Sequence, residues 1–318
     1  MSTPVFTRAT KTQARLRLAL IGVSGSGKTY SALAIASALG KRIAVIDTEH
    51  GSASKYAGDP FEFDTLLLTS YHPQAYIDAI RAAEEAGYDV LVIDSFSHMW
   101  VGKGGELELK DKASSRPGEN SFTAWRHITP LHNDAIDTIL GSRCHVIATM
   151  RAKTEYVLEA RDGKQVPRKV GMAPVMRDGV EYEFDVAADM NLDHEMVVSK
   201  TRCPALDGQV IMKPGAQVAE ILNTWLSDGT PPPPGPSPEL VEEIDGLLGL
   251  INGGAESARS HVERLYGTRD VSRLTEAQAT ELRDRLAARA AEDAGQETIF
   301  KAPVEKPKGR KPNPETGK

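Results

Sequence analysis

Eight residues, Gly22-Val23-Ser24-Gly25-Ser26-Gly27-Lys28-Thr29, fit the spacing G-x-x-x-x-G-K-[S/T]. An apolar run, Leu16–Ile21, precedes them and a helix-patterned run, Tyr30–Leu39, follows. A strand, a glycine-rich turn and a helix in that order form a loop whose backbone N–H groups point inward around a polyphosphate. The glycines permit the tight turn, Lys28 reaches the terminal phosphates, and the Thr29 hydroxyl is placed for Mg²⁺. Gly22, Ser24, Gly25, Ser26, Gly27, Lys28, Thr29 and Tyr30 are therefore the expected nucleotide-binding set. ATP and Mg²⁺ are the expected cofactors.

Such a loop belongs on a parallel sheet, and the surrounding pattern agrees. Leu16–Ile21, Arg42–Asp47, Asp89–Asp94 and His145–Met150 read as short buried strands. Tyr30–Leu39, Pro73–Ala86 and Phe122–Leu140 read as helices between them, the last interrupted by Pro130. Alternation of this kind predicts an α/β fold, a mostly parallel sheet covered on both faces. After about Thr154 the texture turns β-rich. Tyr156–Leu158, Asp185–Met190, Met196–Lys200 and Val210–Met212 predict shorter strands, and Ala216–Leu226 a closing helix.

A proline-rich stretch at 229–238 then predicts a stiff linker between two domains. Residues 1–15 are expected to be a flexible N-terminus and 16–228 the nucleotide-binding domain. Residues 239–293 should form a small helical domain, with helices over Val241–Leu250, Ala255–Leu265 and Glu276–Ala291. Thr275 and Gln278 have capping-box spacing at the last of these. Residues 294–318, basic and proline-rich, predict a disordered tail. No internal repeat is visible.

Whole-chain numbers narrow the partners. The 318 residues carry a net charge of −6, so nucleic acid contact must come from a local patch. Two cysteines, Cys144 and Cys203, lie far apart, which predicts neither a disulfide framework nor zinc. No signal peptide and no run of about 18 or more apolar residues is present. A cytoplasmic protein with no membrane association is the expectation.

Two carboxylates stand out. Val90-Leu91-Val92-Ile93-Asp94 is an apolar strand ending in an acid, which beside a phosphate loop supplies the Mg²⁺-holding carboxylate. Taken alone, such an Asp also reads as a strand-end turn cap. The residue after Asp94 is Ser95, whereas ATPases of the extended AAA+ type usually place a water-activating Glu there. The alternative base is Glu49, in Ile46-Asp47-Thr48-Glu49-His50, just past the second strand, where ligands bind in such sheets. A lone Glu in a surface loop is the competing reading.

Ile46-Asp47-Thr48-Glu49-His50, followed by Lys55-Tyr56-Ala57, resembles the same segment of the RecA family of recombination ATPases. Tyr88-Asp89-Val90-Leu91-Val92-Ile93-Asp94-Ser95 resembles that family's Mg²⁺ strand. Gly179-Val180-Glu181-Tyr182-Glu183-Phe184-Asp185 and Ser199-Lys200-Thr201-Arg202 are similar to the small bacteriophage ATPases of single-strand DNA annealing and recombination. The resemblance spans roughly Leu16 to Met212. It implies a RecA-like P-loop core with a β-rich extension and a small C-terminal helical segment.

The resemblance also implies roles. Glu49 would be the catalytic carboxylate. Thr149–Arg151 would occupy the γ-phosphate-sensing position, with Met150 and Arg151 where relatives usually carry an amide. Lys28 and Asp94 would complete the catalytic set, with Lys200 or Arg202 reaching a neighbouring subunit's nucleotide. Two basic residues at a strand end read equally as a solvated pair. Two DNA-contacting loops are implied, Gly102–Asn120 and Lys153–Arg177. In the second, Tyr156, Arg161, Lys164, Arg168, Lys169 and Arg177 are the contact candidates. By composition alone both loops are nearly charge-balanced. Trp100, Trp125 and Trp225 read as core or subunit-contact residues.

The expected function is a DNA-stimulated ATPase of phage recombination or annealing, a ring or filament of identical subunits. Single-stranded DNA and a single-strand-binding protein are its expected partners. Two other readings stay open on the sequence. One is a helicase- or loader-type motor of the replisome. The other is a nucleotide-gated adaptor gripping a partner protein through its C-terminal helices.

Overall fold

The computed structural model describes residues 8–161, 164–250 and 255–300, with the backbone alone over 154–161, 164–171, 255–257 and 292–300. The chain divides into two compact units, Met1–Pro231 and Pro232–Lys318.

The first unit is built on a nine-stranded sheet. Its strands are β1 (Arg17–Gly22), β2 (Ile43–Asp47), β3 (Asp64–Leu67), β4 (Val90–Asp94), β5 (His145–Arg161), β6 (Lys164–Pro174), β7 (Val186–Met190), β8 (Glu195–Thr201) and β9 (Val210–Met212). The order across the sheet is β3-β2-β4-β5-β1-β7-β8-β9, with β6 paired to β5 alone. From β3 to β7 every pairing is parallel; β7–β8 and β8–β9 are antiparallel. Parallel strands need crossover helices, and these cover both faces. On one face α1 (Lys28–Leu39) packs with α6 (Ala216–Ser227); on the other α2 (Pro73–Glu85) packs with α5 (Trp125–Leu140).

Side-chain alternation along the strands feeds the two cores. Leu18 and Leu20 of β1 join Leu33, Val45, Val92, Ile147 and Leu222 on the first face. Ala19 and Ile21 join Ile46, Tyr76, Ile80, Ile93, Ile136 and Ala148 on the second. Both sets of β1 side chains are buried, which is why the strand reads as a continuous apolar run. Truncating Leu20 to alanine at such a position costs about 2–5 kcal/mol.

Several expectations need correction. Pro130 lies inside α5 without ending it. Proline removes one backbone donor at that point, and packing of Ile128, His132, Ile136 and Ile139 on either side holds the helix together. The segment Lys153–Arg177 is not a loop. β5 runs in the sheet as far as Arg151 and continues as an arm paired antiparallel with β6, with a register shift between Glu155 and Tyr156. Gly102–Asn120 likewise contains a helix, α4 (Glu106–Ser114), after the short α3 (Ser97–Val101). The N-terminus is tied down from Lys11 onward. Lys11 pairs with Asp228 at 2.7 Å, and the Gln13 and Ala14 amides donate to Thr230 and Leu226. Residues 1–7 lie outside the described residues.

His145 sits beneath this strap. Its Nδ1 accepts the Leu16 amide at 3.1 Å, and its Nε2 lies 3.1 Å from Arg15. Burial, then the Arg15 and Arg17 guanidiniums, push its pKa down to about 4 from an ordinary 6.5. A group neutral in the native state protonates more readily in the unfolded chain. Its contribution to stability is therefore full above 6.5 and lost as pH falls towards about 4. Urea midpoints measured across that window should fall for the native sequence and fall less for His145→Asn, a difference on the order of 3 kcal/mol at most.

The second unit holds α7 (Pro238–Leu250), α8 (Ala255–Tyr266) and α9 (Glu276–Phe300) around Ile244, Leu248, Val262, Leu274, Leu282 and Leu286. The capping box at α9 forms reciprocally: the Thr275 amide donates to Gln278 Oε1 at 2.9 Å and the Gln278 amide to Thr275 Oγ1 at 3.2 Å. The helix continues past Asp293 to Phe300, so the expected tail from 294 begins as helix. Residues 301–318 lie outside the described residues. The proline stretch is not purely a linker, because the Pro234 carbonyl accepts the Glu276 amide. No helix among the described residues is long and apolar enough to cross a membrane.

Candidate functional site

The C-terminal ends of β1, β2 and β4 lie in register, with Asp47 opposite Asp94 in the β2–β4 pairing and Gly22 opposite Arg151 in the β1–β5 pairing. Parallel sheets bind ligands at this edge. β1 ends at Gly22, where a Cβ would come within 2.6 Å of the Met190 carbonyl and of Ser26 Oγ. The chain then turns through Gly25 and Gly27, at φ 83° and 85°. Gly27 is the N-cap of α1, so the helix begins at Lys28 with its free amides facing the loop. Lys28 Nζ donates to the Val23 carbonyl at 2.8 Å. Burial lowers its pKa, opposed by Asp94 and Glu49 and assisted by Arg151.

Asp94, 2% exposed, is held by two hydroxyls. Thr29 Oγ1 donates to Oδ2 at 2.7 Å and Thr149 Oγ1 to Oδ1. Burial raises its pKa above the usual carboxylate range; the Thr149 and Thr29 hydrogen bonds act against that, and Glu49 and Asp47 add to it. A hydroxyl and a carboxylate beside a phosphate-binding loop are the hard oxygen donors Mg²⁺ takes, the remainder coming from water and phosphate. The residues present fit that ion. Among the described residues no cluster of His, Cys, Asp and Glu forms a separate metal centre.

Glu49 sits on the turn after β2. Asp47, 1% exposed, builds that turn by accepting the Glu49 amide at 2.7 Å and the Ala53 amide at 3.0 Å. The Thr48 amide donates to the Asp94 carbonyl, and the Thr48 hydroxyl accepts the Ser95 amide and meets His98 Nδ1 at 2.6 Å. The ends of β2 and β4 are thus locked together. Glu49 Oε1 accepts from both Nε and Nη2 of Arg151, at 3.1 and 2.9 Å.

These groups line one pocket of about 1010 Å³, with Gly22–Gly25, Gly27–Ser31, Glu49, Asp94 and Arg151 in its wall; Ser26 is buried behind the loop, its hydroxyl donating to the Val23 carbonyl at 2.9 Å. Tyr30 and Tyr56 line it too. Tyr30 packs edge-on against Tyr56 and Phe61 at 5.9 and 5.0 Å between ring centres, leaving aromatic surface exposed at the mouth. His194 and Lys213 enter from the turns after β7 and β9. Both have left-handed backbones, φ 62° and 48°, and the Lys213 amide donates to the His194 carbonyl at 2.8 Å. Nothing local in the sequence marks these two; their only signal is position in turns at the sheet edge that carries the phosphate loop.

The remaining predicted residues lie elsewhere. β8 runs antiparallel to β7, and its Thr201 pairs with Val186, which pairs with Leu18. Lys200 and Arg202 therefore sit at the end of the sheet opposite Gly22, outside the chain's own pocket. Lys200 Nζ donates to the Tyr182 and Phe184 carbonyls, and Arg202 pairs with Asp185 at 2.9 Å. Arg177 borders a second cavity of about 370 Å³ with His132, Asp137 and Glu183. The side chains of Tyr156, Arg161, Lys164, Arg168 and Lys169 lie outside the described residues; their backbone belongs to the β5–β6 arm. In Gly102–Asn120 the acids are engaged, Glu106 with His132, Glu108 with Lys112, Asp111 with Lys110 and Glu119 with His127. Trp100 and Trp125 stack on one another at 5.5 Å, and Trp225 packs against the first core.

A family profile described as an AAA domain matches residues 14–228. No curated protein matches the chain.

Proposed function

The chain belongs to the AAA-domain family, with an α/β P-loop ATPase core, and from that premise we propose that it is a Mg²⁺-dependent ATPase acting on single-stranded DNA. The observation that carries the ATPase reading is the convergence of Lys28, Thr29, Asp94 and Glu49 on one pocket. Ser95 follows Asp94, so the acid expected there in the extended AAA+ type is missing, and Glu49 is the carboxylate left to act as base.

In this reading the amides from Gly25 to Tyr30 wrap the phosphates, and Lys28 leaves Val23 to neutralise them. Thr29 and Asp94 would hold Mg²⁺, which when bound would supply charge stabilisation to the phosphate oxygens. Glu49 orients a water in line with the terminal phosphorus and takes its proton as the new P–O bond forms. The bond to the bridging oxygen of ADP breaks. The exposed rings of Tyr30 and Tyr56 offer the adenine a stacking surface at the mouth. Phosphate release from Mg²⁺–ATP by the purified full chain tests the reading.

The DNA part rests on the resemblance to recombination ATPases and on the arm that continues β5 beyond the sheet, whose sequence carries Arg161, Lys164, Arg168 and Lys169. Single-stranded DNA should bind with a salt dependence set by the number of phosphates the protein neutralises. Replacing Lys164, Arg168 and Lys169 by alanine should weaken binding and flatten the log K against log salt slope by about 0.7 for each phosphate no longer neutralised. An unchanged slope would remove the arm from the DNA site. Lys200 and Arg202, at the far end of the sheet, are suited to a neighbour's nucleotide in a head-to-tail ring or filament. ATP turnover per subunit should then rise with protein concentration, and Arg202→Ala should abolish that rise.

The helical core of the second unit, around Ile244, Leu248, Val262 and Leu282, supports the adaptor reading. Truncation after Ser237 distinguishes the two. A truncated chain that releases a protein partner but keeps DNA-stimulated turnover assigns the helices to that partner. A truncated chain that fails in both assigns them to the DNA function.

A further inference from the structure

The phosphate loop stands on β1, and the sheet runs β5-β4-β2 to one side of it and β7-β8-β9 to the other. The first side supplies Glu49, Asp94 and Arg151 to the pocket. The second supplies His194, in the turn between β7 and β8, and Lys213, directly after β9. His194 reaches the loop itself: a Cβ on Gly27 would lie 2.9 Å from its Nδ1. The imidazole therefore packs on the backbone of the residue that caps α1, one position before Lys28.

The two turns are built as one piece. Asn191 Oδ1 accepts the Asp193 and Glu195 amides, each at 3.0 Å, and Asn191 Nδ2 donates to the Glu195 carboxylate at 2.7 Å. The His194 amide donates to the Asn191 carbonyl at 3.1 Å, and the His194 carbonyl accepts the Lys213 amide at 2.8 Å. His194 and Lys213 are both left-handed, a conformation in which a Cβ is unfavourable and glycine or asparagine is the usual choice. Among the described residues the non-glycine left-handed positions are His50, His194 and Lys213, and all three stand at the sheet edge that carries the phosphate loop. Strain kept at a ligand edge points to a use for the side chain. Neither the imidazole nor the Lys213 ammonium has a hydrogen-bond or ion-pair partner among the described residues. The acid next to His194, Glu195, is turned to Asn191 instead.

An ammonium and an imidazole facing an anion cradle suit phosphate oxygens. They stand across β1 from Glu49 and Asp94, the side on which the terminal phosphate reacts. What they meet is the part of the polyphosphate that ATP and ADP share. We propose that His194 and Lys213 form a diphosphate clamp in the chain's own pocket: they hold the α- and β-phosphates from the side opposite the catalytic carboxylates and contribute equally to ATP and ADP. The inference rests on the nucleotide-binding reading. It gives the β7–β9 extension a part in retaining nucleotide through turnover.

The left-handed backbone allows a test that separates binding from folding. Glycine removes each side chain and also relieves the strain, so His194→Gly and Lys213→Gly should melt no lower than wild type in the absence of nucleotide. The full chain and these variants, with Lys213→Arg, are titrated with Mg²⁺ and either ADP or a non-hydrolysable ATP analogue. Lys213→Gly should weaken both nucleotides by about tenfold, and His194→Gly both by about threefold. Lys213→Arg keeps the charge and should restore most of the affinity. The proposal is overturned if the glycine variants bind ADP like wild type, if the triphosphate alone is weakened, if Lys213→Arg binds as poorly as Lys213→Gly, or if affinity falls only together with melting temperature. A wild-type chain that binds neither nucleotide overturns the nucleotide-binding reading itself, a result distinguishable from the others.

Discussion

Glu49→Gln should lower ATP turnover by about 10²–10⁴-fold, the usual contribution of a positioned general base. ATP binding should survive. Glutamine keeps the size of the side chain and its hydrogen bond to water but accepts no proton. The geometry favours a clean result. Asp47 fixes the turn through the Glu49 and Ala53 amides, and those bonds do not involve the Glu49 side chain. The turn is joined to β4 through Thr48. The phosphate loop is built by Gly22, Gly25 and Gly27, on another strand. Turnover in single-cycle and steady-state assays, beside nucleotide affinity, checks this. Wild-type turnover in the variant would remove Glu49 as the base and leave the pocket without an assigned one.

Asp94→Asn should act in two opposite directions. It removes the carboxylate proposed to hold Mg²⁺, a contribution of several kcal/mol, so turnover should fall by at least about 10²-fold. The unliganded protein should nevertheless become more stable. Asp94 is almost fully buried, and burial raises its pKa. The native state then favours the protonated form more than the unfolded chain does. The resulting stability is present below the ordinary carboxylate pKa and lost as pH rises through the raised one. At neutral pH the charged form is a burden, which asparagine lifts while still offering an oxygen to one of Thr29 and Thr149. Thermal unfolding without nucleotide should show the variant melting higher than wild type at neutral pH, with the gap closing as pH falls. Mg²⁺–ATP should stabilise wild type and much less the variant. A lower melting point at every pH would mean the two hydroxyl contacts, and not the charge, dominate at this position.

The legible parts of this chain are those where chemistry and local pattern coincide. Strands β1, β2 and β4 are buried on both faces and read as unbroken apolar runs ending at the loop, at Asp47 and at Asp94. Strand β3 has all four residues exposed on an edge, so no apolar periodicity announces it. The β5–β6 arm reads as a loop because its strand segments are charged and interrupted by proline and glycine. They are held by pairing with each other. Within the site, Lys28 and Thr29 open α1 after the phosphate loop, and Asp94 and Glu49 lie at or just past a strand end, places that sequence alone marks. Arg151 lies 102 residues from Glu49 along the chain, and the parallel order β2-β4-β5 brings them to the same edge of the sheet. His194 and Lys213 enter through turns with no sequence signature at all. Lys200 lies on the strand its apolar neighbours predict, but the antiparallel direction of that strand carries it and Arg202 away from the pocket.

Phosphate release from Mg²⁺–ATP by the full chain, with and without single-stranded DNA, tests the central claim most directly. The predicted result is slow turnover that single-stranded DNA increases and that disappears in Glu49→Gln. Absence of turnover under both conditions, with intact nucleotide binding, would contradict the claim and make the pocket a binding switch instead of an ATPase site.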